Sequence, residues 1–300
     1  MSNSVLVKAH IDDHGAIIDM AAFQINEPTS ALHGLANSEA YPGMVWLTLQ
    51  QDNLLVLIDP HVELIDAPPT VIKSLKVPAP GLGPHYVGEY GSDVWAGLKT
   101  SAMALRMNHE DPSNYTIYPG LPHPIFIAQH PVNHMFYTGE DDSSQIMKID
   151  PWSNTTSQIG IPPSVGREVV GMVSGPTGVW FTLLGNATNS TGTIGRIDSN
   201  DQITWFRLTQ PLGVDASLLH LSFDTNRNQT LWILGSSLLD SSALDMAIQV
   251  EFNAEFSKIT SESYTVLPTQ QCAAHRILVR DNHVMVTELA TSKVASIFSE

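Results

Sequence analysis

Residues 272–297 read CAAHRILVRDNHVMVTELATSKVASI, and the reading of this stretch decides the fold. A short apolar run follows His275, a second carries Met285 and ends at Glu288, and a third spans Lys293 to Ile297. Short runs rich in β-branched and aliphatic residues, bounded by Asp, Asn and Thr, read as strands. The same unit recurs upstream. An aromatic residue or Met sits inside the second run at Trp46 (MVWLTL), Trp95 (VWAGLK), Phe136 (MFYTGE), Trp180 (VWFTLL), Trp232 (LWILGS) and Met285 (VMVTEL), 41 to 53 residues apart. Each is preceded by a short run: HGLA, HYVGEY, PIFIAQ, VVGMVS, LHLSF and HRILV. Third runs end in tight acidic turns, as in VLIDP (56–60), MKIDP (147–151) and IGRIDS (194–199).

Three to four strands every 40 to 50 residues, with one aromatic anchor per unit, is the pattern of a β-propeller blade. A parallel β-helix needs a shorter, stricter period, and a sandwich does not repeat. Six anchors give six blades in an all-β chain, with seven as the alternative. Two strands at the N-terminus, Val5–His10 and Ile17–Phe23, are left over, while the last repeat stops one strand short at Glu300. The expectation is that an N-terminal strand joins the last blade and closes the ring, which removes free edges. No linker or low-complexity tract divides residues 1–300, so one propeller domain is expected.

A charge of −16 over 300 residues argues against nucleic acid or an anionic membrane surface as partner, because both select a positive face. No apolar run has the length of a spanning helix. Cys272 is alone, so neither an internal disulfide nor a cysteine zinc cluster forms. The N-terminus lacks a signal-peptide pattern, which points to a cytosolic or processed chain. Five N-x-T triplets, at Asn114, Asn154, Asn186, Asn189 and Asn228, fall in expected turns and favour a secreted or secretory-pathway glycoprotein, with a cytoplasmic location as the alternative.

Alignment of the repeats on their anchors places His33, His85, His123, Arg167 (or Glu168), His220 and His275 at the start of the first strand. First strands of propeller blades line the central channel, so these residues are expected to rim one mouth of it. Imidazoles there suit proton transfer near neutral pH. Three residues beyond the anchor stand Leu49, Leu98, Gly139, Leu183, Gly235 and, in the last repeat alone, Glu288. A carboxylate among apolar neighbours tends toward a raised pKa and suits acid–base work or cation binding. Lys99, Glu140, Asp141 and Asp142 lie slightly further along and rank behind it. The cluster His10, Asp12, Asp13 and His14 reads as an exposed turn. Trp46 and Trp95 are taken as apolar walls of a substrate site. The chain carries no G-x-S-x-G, Walker loop, C-x-x-C or H-E-x-x-H motif.

The repeat resembles that of the streptogramin B lyases (virginiamycin B lyases), best in AAHRILVRDNHVMVTELATSKVASI and well in GVWFTLLGNATNSTGTIGRIDS. The resemblance implies a propeller, seven-bladed in that family, that opens a cyclic depsipeptide by elimination. It implies a last-blade histidine as base, a nearby glutamate, a histidine one blade earlier, and Mg²⁺. These roles fall on His275, Glu288 (also the candidate metal ligand) and His220. This chain departs from the pattern: His33 stands where the family has a first-blade tyrosine, and only Glu288 remains of the repeated glutamates.

Propellers of fungal biosynthetic clusters are similar in style. Some dehydrate a hydroxylated aromatic or tropolone to a quinone methide and guide its hetero-Diels–Alder closure. The leading expectation is therefore a lyase or cyclase of natural-product metabolism, acting on a hydrophobic, oxygenated small molecule. His275, Glu288 and His220 would be catalytic, and His33, His85, His123, Arg167, Trp46 and Trp95 would bind substrate. Alternatives are a C–O lyase of a cyclic depsipeptide or ester, and a non-catalytic propeller that binds a peptide or sugar.

Overall fold

The computed structural model describes residues 4–120, 123–140, 143–185, 190–227, 229–280 and 283–298. Its regular structure is almost wholly β, with two short 3₁₀ turns, Pro28–Ser30 and Lys99–Ser101. An N-terminal hairpin consists of β1 (Val5–Ile11) and β2 (Ile17–Gln24). The first blade is β3 (Leu32–Asn37), β4 (Val45–Leu49), β5 (Leu54–Asp59) and β6 (Thr70–Lys76). The second is β7 (Pro84–Tyr90), β8 (Asp93–Leu98), β9 (Met103–Asn108) and β10 (Tyr115–Pro119). The third is β11 (Pro124–Gln129), β12 (Phe136–Glu140), β13 (Gln145–Asp150) and β14 (Thr155–Gly160). The fourth is β15 (Val169–Gly175), β16 (Gly178–Leu183), β17 (Thr193–Ile197) and β18 (Ile203–Arg207). The fifth is β19 (Leu218–Phe223), β20 (Thr230–Gly235), β21 (Met246–Phe252) and β22 (Ile259–Val266). The sixth has three strands, β23 (Ala274–Arg280), β24 (His283–Glu288) and β25 (Lys293–Phe298).

Each blade is an antiparallel meander with strands adjacent in chain order, and the six together make a six-bladed β-propeller. The chain divides into two compact units, Met1–Ile127 with Met147–Ser157 and Ala128–Ile146 with Gln158–Glu300. Within each unit, first strands of successive blades lie side by side: β3 against β7, β15 against β19, and β19 against β23.

All six anchors fall on second strands. Trp180 shows why an aromatic belongs there. Its indole packs against Phe206 (5.3 Å between centroids), Phe252 (5.0 Å) and Phe223 (5.5 Å), so it fills the space between the fourth and fifth blades. Trp46 occupies the matching place among Leu57, Val87, Ala96 and Leu105 of the first two blades. Such rings bury large apolar area and dominate core energetics. The acidic turns after third strands also form as read. Asp150 Oδ1 accepts the N–H of Trp152 (2.9 Å) and Ser153 (3.2 Å), and Asp198 Oδ1 accepts those of Asn200 and Gln202. Asp and Asn hold such turns by accepting from the backbone beyond them.

The strand pairing corrects the expected ring closure. β1 pairs with β2 over its whole length as a separate two-stranded sheet, and the sixth blade stays three-stranded. Local pairing wins because the turn is short and self-capped: Asp12 Oδ1 accepts the N–H of His14 and of Ala16. The hairpin docks instead on the first blade. Leu6 and Ile25 join Leu47, Leu49, Val56 and Ile58, and buried Lys8 donates to the carbonyls of Leu64 and Ala67, each at 2.6 Å. Of the sequons, Asn114 and Asn154 sit exposed at turns; Asn186, Asn189 and Asn228 lie outside the described residues.

One device recurs where first strands begin. A residue in the left-handed region precedes the strand (Ala31 φ 55°, Gly83 φ 73°, Glu168 φ 58°, Ala273 φ 49°). Its carbonyl accepts the N–H just after the second strand (Gln50, Lys99, Leu184, Leu289). The next residue pairs across (Leu32 with Leu49, Pro84 with Leu98, Val169 with Leu183, Ala274 with Glu288), and then the register slips in a bulge. A bulge leaves a ladder N–H unpaired. A second-strand threonine takes it: Thr48 Oγ1 accepts from Gly34 (2.7 Å), Thr182 Oγ1 from Gly171 (3.0 Å) and Thr287 Oγ1 from Arg276 (3.0 Å). Thr182 also donates to Leu219 O of the next blade at 3.0 Å. The approach is so close that a Cβ on Gly171 would lie 2.6 Å from that same oxygen.

Replacement of Thr182 by Val should leave a buried N–H and a buried carbonyl without their partner. A loss of about 2 kcal/mol is expected in urea denaturation, against under about 1 kcal/mol for Thr182→Ser, which keeps the hydroxyl. Equal midpoints for Thr182→Val and the parent protein would contradict the bridge.

Candidate functional site

The bulge fixes which residues are truly equivalent, and it splits the aligned histidines. The residue after the paired position is His33, His85, Val170, Leu219 and His275 in the first, second, fourth, fifth and sixth blades. His220 therefore stands one place later. His123 (φ 60°) takes the left-handed position occupied by Ala31 and Gly83 elsewhere, two places earlier. Arg167 precedes the left-handed Glu168, outside β15. The turn between first and second strands varies in length, so counting back from the anchor slides the register by one or two residues. The five-histidine register thus reduces to three, with His123 and His220 displaced.

In the first unit His33 and His85 meet. Their rings lie 3.5 Å apart between centroids at 35°, and His33 Nδ1 is 3.1 Å from His85 O. Trp46 and Trp95 do not reach such a surface. They are 0% and 1% exposed, Trp95 stacked on Tyr118 at 5.7 Å, and they are core residues rather than substrate walls. The reason is the pleat, which points second-strand anchors into the gap between blades.

In the second unit the neighbouring first strands β19 and β23 bring together His220, His275 and Arg276, all half-buried. The backbone N–H of Ile277 donates to His220 Nδ1 at 3.4 Å. Burial, and then the Arg276 cation, push the His220 pKa down to about 3, so its ring is neutral at physiological pH. Arg276 Nη1 donates to His275 O at 2.8 Å. Glu288 closes the other strand of the pair, opposite Ala274, 3% exposed, its Oε2 accepting the Thr291 hydroxyl at 2.6 Å. Beside it, the Cys272 thiol is pushed up to about 12 by burial, then by Asp245 and Glu288, and is inert as a nucleophile.

The start of β23 is held by a residue that the sequence did not single out. Buried Asp245 accepts from Ala274 N (2.9 Å) and Cys272 N (2.9 Å), and also from Ser237 N and Oγ. Burial alone would raise its pKa, but these donors outweigh it and hold the carboxylate ionised. Ser237 Oγ in turn accepts Ala273 N at 3.1 Å. Every N–H from Cys272 to Ala274 is thereby fixed, and with it the direction in which His275 leaves the backbone. Arg276 was also missed. The position after the bulge holds Gly34, Tyr86, Gly171, His220 and Arg276, so in the correct register its charge stands out.

Glu140, the last residue of β12, is fully buried, and among the described residues neither of its oxygens has a hydrogen-bond partner. Burial pushes its carboxyl up to about 8. Asp141 and Asp142, ranked with it, lie outside the described residues. No three His, Cys, Asp or Glu side chains among the described residues are grouped to hold a metal ion. Glu288 already accepts a hydroxyl and its neighbour is a protonated thiol. These donors do not fit a resident Mg²⁺, and no step below is routed through one.

Fold and site together define a six-bladed β-propeller with a polar, histidine-bearing strand pair in its last two blades. Over nearly its whole length the chain is similar in fold to virginiamycin B lyase from Staphylococcus aureus. The TM-score is 0.70 at 17% identity, covering 97% of this chain and 87% of that one. A catalytically inactive histidine-to-alanine form of that lyase with quinupristin gives 0.71 at 16%, with the same coverage. A streptogramin B lyase structure gives 0.69 at 18%, covering 95% and 84%. At these identities the likeness is one of fold. No family model and no curated protein matches the sequence.

The Glu140 pKa lies above its unfolded value of about 4.5, so its stability contribution is complete below that value and is lost as pH rises toward 8. Glu140→Gln should remove this slope. Its stability relative to the parent is expected to rise by up to about 4 kcal/mol between pH 5 and 9, from thermal melts across that range. Parallel curves for the two proteins would refute the buried, neutral acid.

Proposed function

We propose that the chain is a small-molecule lyase or cyclase that works by acid–base elimination. The observation that carries this reading is the juxtaposition of His275 and neutral His220 on adjacent first strands, in a fold shared with the streptogramin B lyases. His275 takes a proton from an acidic O–H or C–H of the substrate. The freed electron pair moves through the conjugated system as the C–O bond breaks, and the leaving oxygen collects a proton and departs as water or an alcohol. The balance needs no oxidant or reductant. For a hydroxymethyl phenol or tropolone the product is a quinone methide, which closes with an alkene by hetero-Diels–Alder addition. Glu288 acts as a positioning residue through the strand end opposite Ala274. The mixture of apolar core and few charges suits a hydrophobic, oxygenated substrate.

The fold likeness favours a second reading, a C–O lyase of a cyclic depsipeptide or ester. A hydroxybenzyl or tropolone precursor with an alkene, and separately quinupristin, should be incubated with the protein and the products resolved by mass spectrometry. Loss of water with cycloadduct formation supports the cyclase; ring opening without added water mass supports the lyase. His275→Ala should lower either rate by about 10²- to 10⁴-fold with its melting temperature retained. Excess EDTA should leave the rate unchanged. Tight binding of a peptide or sugar that His275→Ala does not weaken, with no turnover of either substrate, would place the protein among binding propellers instead.

A further inference from the structure

The third blade holds polar groups that the acid–base reading does not use, at the turn from β12 to β13. We propose that Glu140, Ser143 and Gln145 form a binding site there for a hard divalent cation, Ca²⁺ in preference to Mg²⁺. The inference is independent of the proposed reaction, whose base stands on a strand of the sixth blade.

Three observations carry it. The first is a set of buried oxygens without hydrogen-bond partners: both carboxyl oxygens of Glu140, the hydroxyl of Ser143 and the side-chain carbonyl of Gln145. Glu140 is 0% exposed, and a carboxyl held in the interior without such partners is costly. The second is placement. β12 ends at Glu140 and β13, its neighbour in the sheet, begins at Gln145. In the first two blades the same strand ends, also five residues apart, face one another: Leu49 opposite Leu54, and Leu98 opposite Met103. By that spacing Glu140 stands opposite Gln145, and residues directly opposite in an antiparallel pair share one face. Ser143 folds back toward the pair, its N–H donating to the Glu140 carbonyl at 3.3 Å. The third is electrostatic. Burial alone perturbs the Glu140 carboxyl; among the described residues no cationic side chain and no donor acts on it.

A carboxylate, a hydroxyl and an amide carbonyl, without a nitrogen ligand, make the oxygen donor set that hard cations select. Ca²⁺ accepts such ligands in flexible geometry, whereas Mg²⁺ demands an octahedron and gives up its water reluctantly, which a buried turn penalises. One carboxylate is few for a calcium site, so binding is expected to be weak, with a Kd on the order of 10⁻⁴ to 10⁻³ M. The proton that the acid carries in cation-free protein passes to solvent as the ion binds. The ion then ties the end of β12 to the start of β13.

The test uses the full-length protein, stripped with EDTA and dialysed, and needs no turnover. CaCl₂ and, separately, MgCl₂ are titrated in by calorimetry at fixed ionic strength, with thermal melts alongside. A saturable Ca²⁺ site is expected, about 10-fold or more tighter than for Mg²⁺, with a melting temperature that rises with Ca²⁺. Glu140→Gln should abolish both responses, and Gln145→Leu should weaken Ca²⁺ by about 10-fold. Asp66→Asn, an exposed acid, should change neither, which separates the site from diffuse attraction to a chain of charge −16. No saturable binding below about 10 mM, equal affinity for the two ions, or Ca²⁺ binding retained in Glu140→Gln would overturn the site. Should Glu140→Gln fail to fold, Ser143→Ala combined with Gln145→Leu takes its place, and Ca²⁺ binding at the parent's affinity in that protein has the same force.

Discussion

The structure depends on how a strand can begin against the first strand of the next blade without leaving buried backbone groups unpaired. The solution is a left-handed residue, one paired residue and a bulge whose free N–H goes to a second-strand threonine. In the fourth blade Thr182 serves both partners, receiving from Gly171 and donating to Leu219 of the fifth. A buried, unpaired amide costs about as much as a lost hydrogen bond. The device therefore constrains the residues around it, requiring a hydroxyl at Thr182 and no side chain at Gly171. It also creates freedom, because the bulged residue has no cross-strand partner in its own sheet and its successor stands beside the slip. His33, His85 and His275 occupy the first of these places, and His220 and Arg276 the second.

That freedom is used differently in the two units. In the first, the bulge residues His33 and His85 lie ring against ring, and His33 Nδ1 reaches the His85 carbonyl. In the second, the sites nearest the bulge carry unlike groups, a half-buried imidazole at His275, a cation at Arg276 and a neutral imidazole at His220. Three polar residues of this kind are costly beside a packed core unless their backbone is rigid. Asp245 supplies that rigidity by taking the N–H groups of Cys272 and Ala274 on one carboxylate. Its charge is compensated by hydrogen bonds from Cys272, Ala274 and Ser237.

The blade repeat was legible because it is written in large apolar residues. Trp46, Trp95, Phe136, Trp180 and Trp232 recur at one place per repeat, and the space between blades can be filled in few other ways. The acidic turns were legible for a related reason, since Asp150 and Asp198 act on residues two to four places away. The start of the first strand was less so. A count back from Trp232 reaches His220 rather than Leu219, and from Phe136 it reaches His123 rather than a residue inside β11, because the intervening hairpins differ in length. Ring closure failed for a similar reason: pattern alone gives β1 a strand's character but not its partner. Asp245 and Arg276 carry no local signature, and Glu140 ranked only behind Glu288; burial and neighbours in space separate them from the chain's other charged residues.

Glu288 stands on the strand pair that carries His275, and its observed contacts there are with the turn and the partner strand. Its uniqueness among the repeats was visible in the sequence, and the chemistry first attached to it was proton transfer or cation binding. The carboxylate is buried and takes the Thr291 hydroxyl at the turn that leads to β25, while its backbone pairs with Ala274. A group in that place controls the end of the strand pair from which His275 and Arg276 project. Exchanging it for leucine, as Leu49, Leu98 and Leu183 stand in other blades, would keep the apolar fit but release the turn. Divergence of a repeat at one position therefore singles out a strand pair, while the contacts made there show that the divergent carboxylate holds a turn.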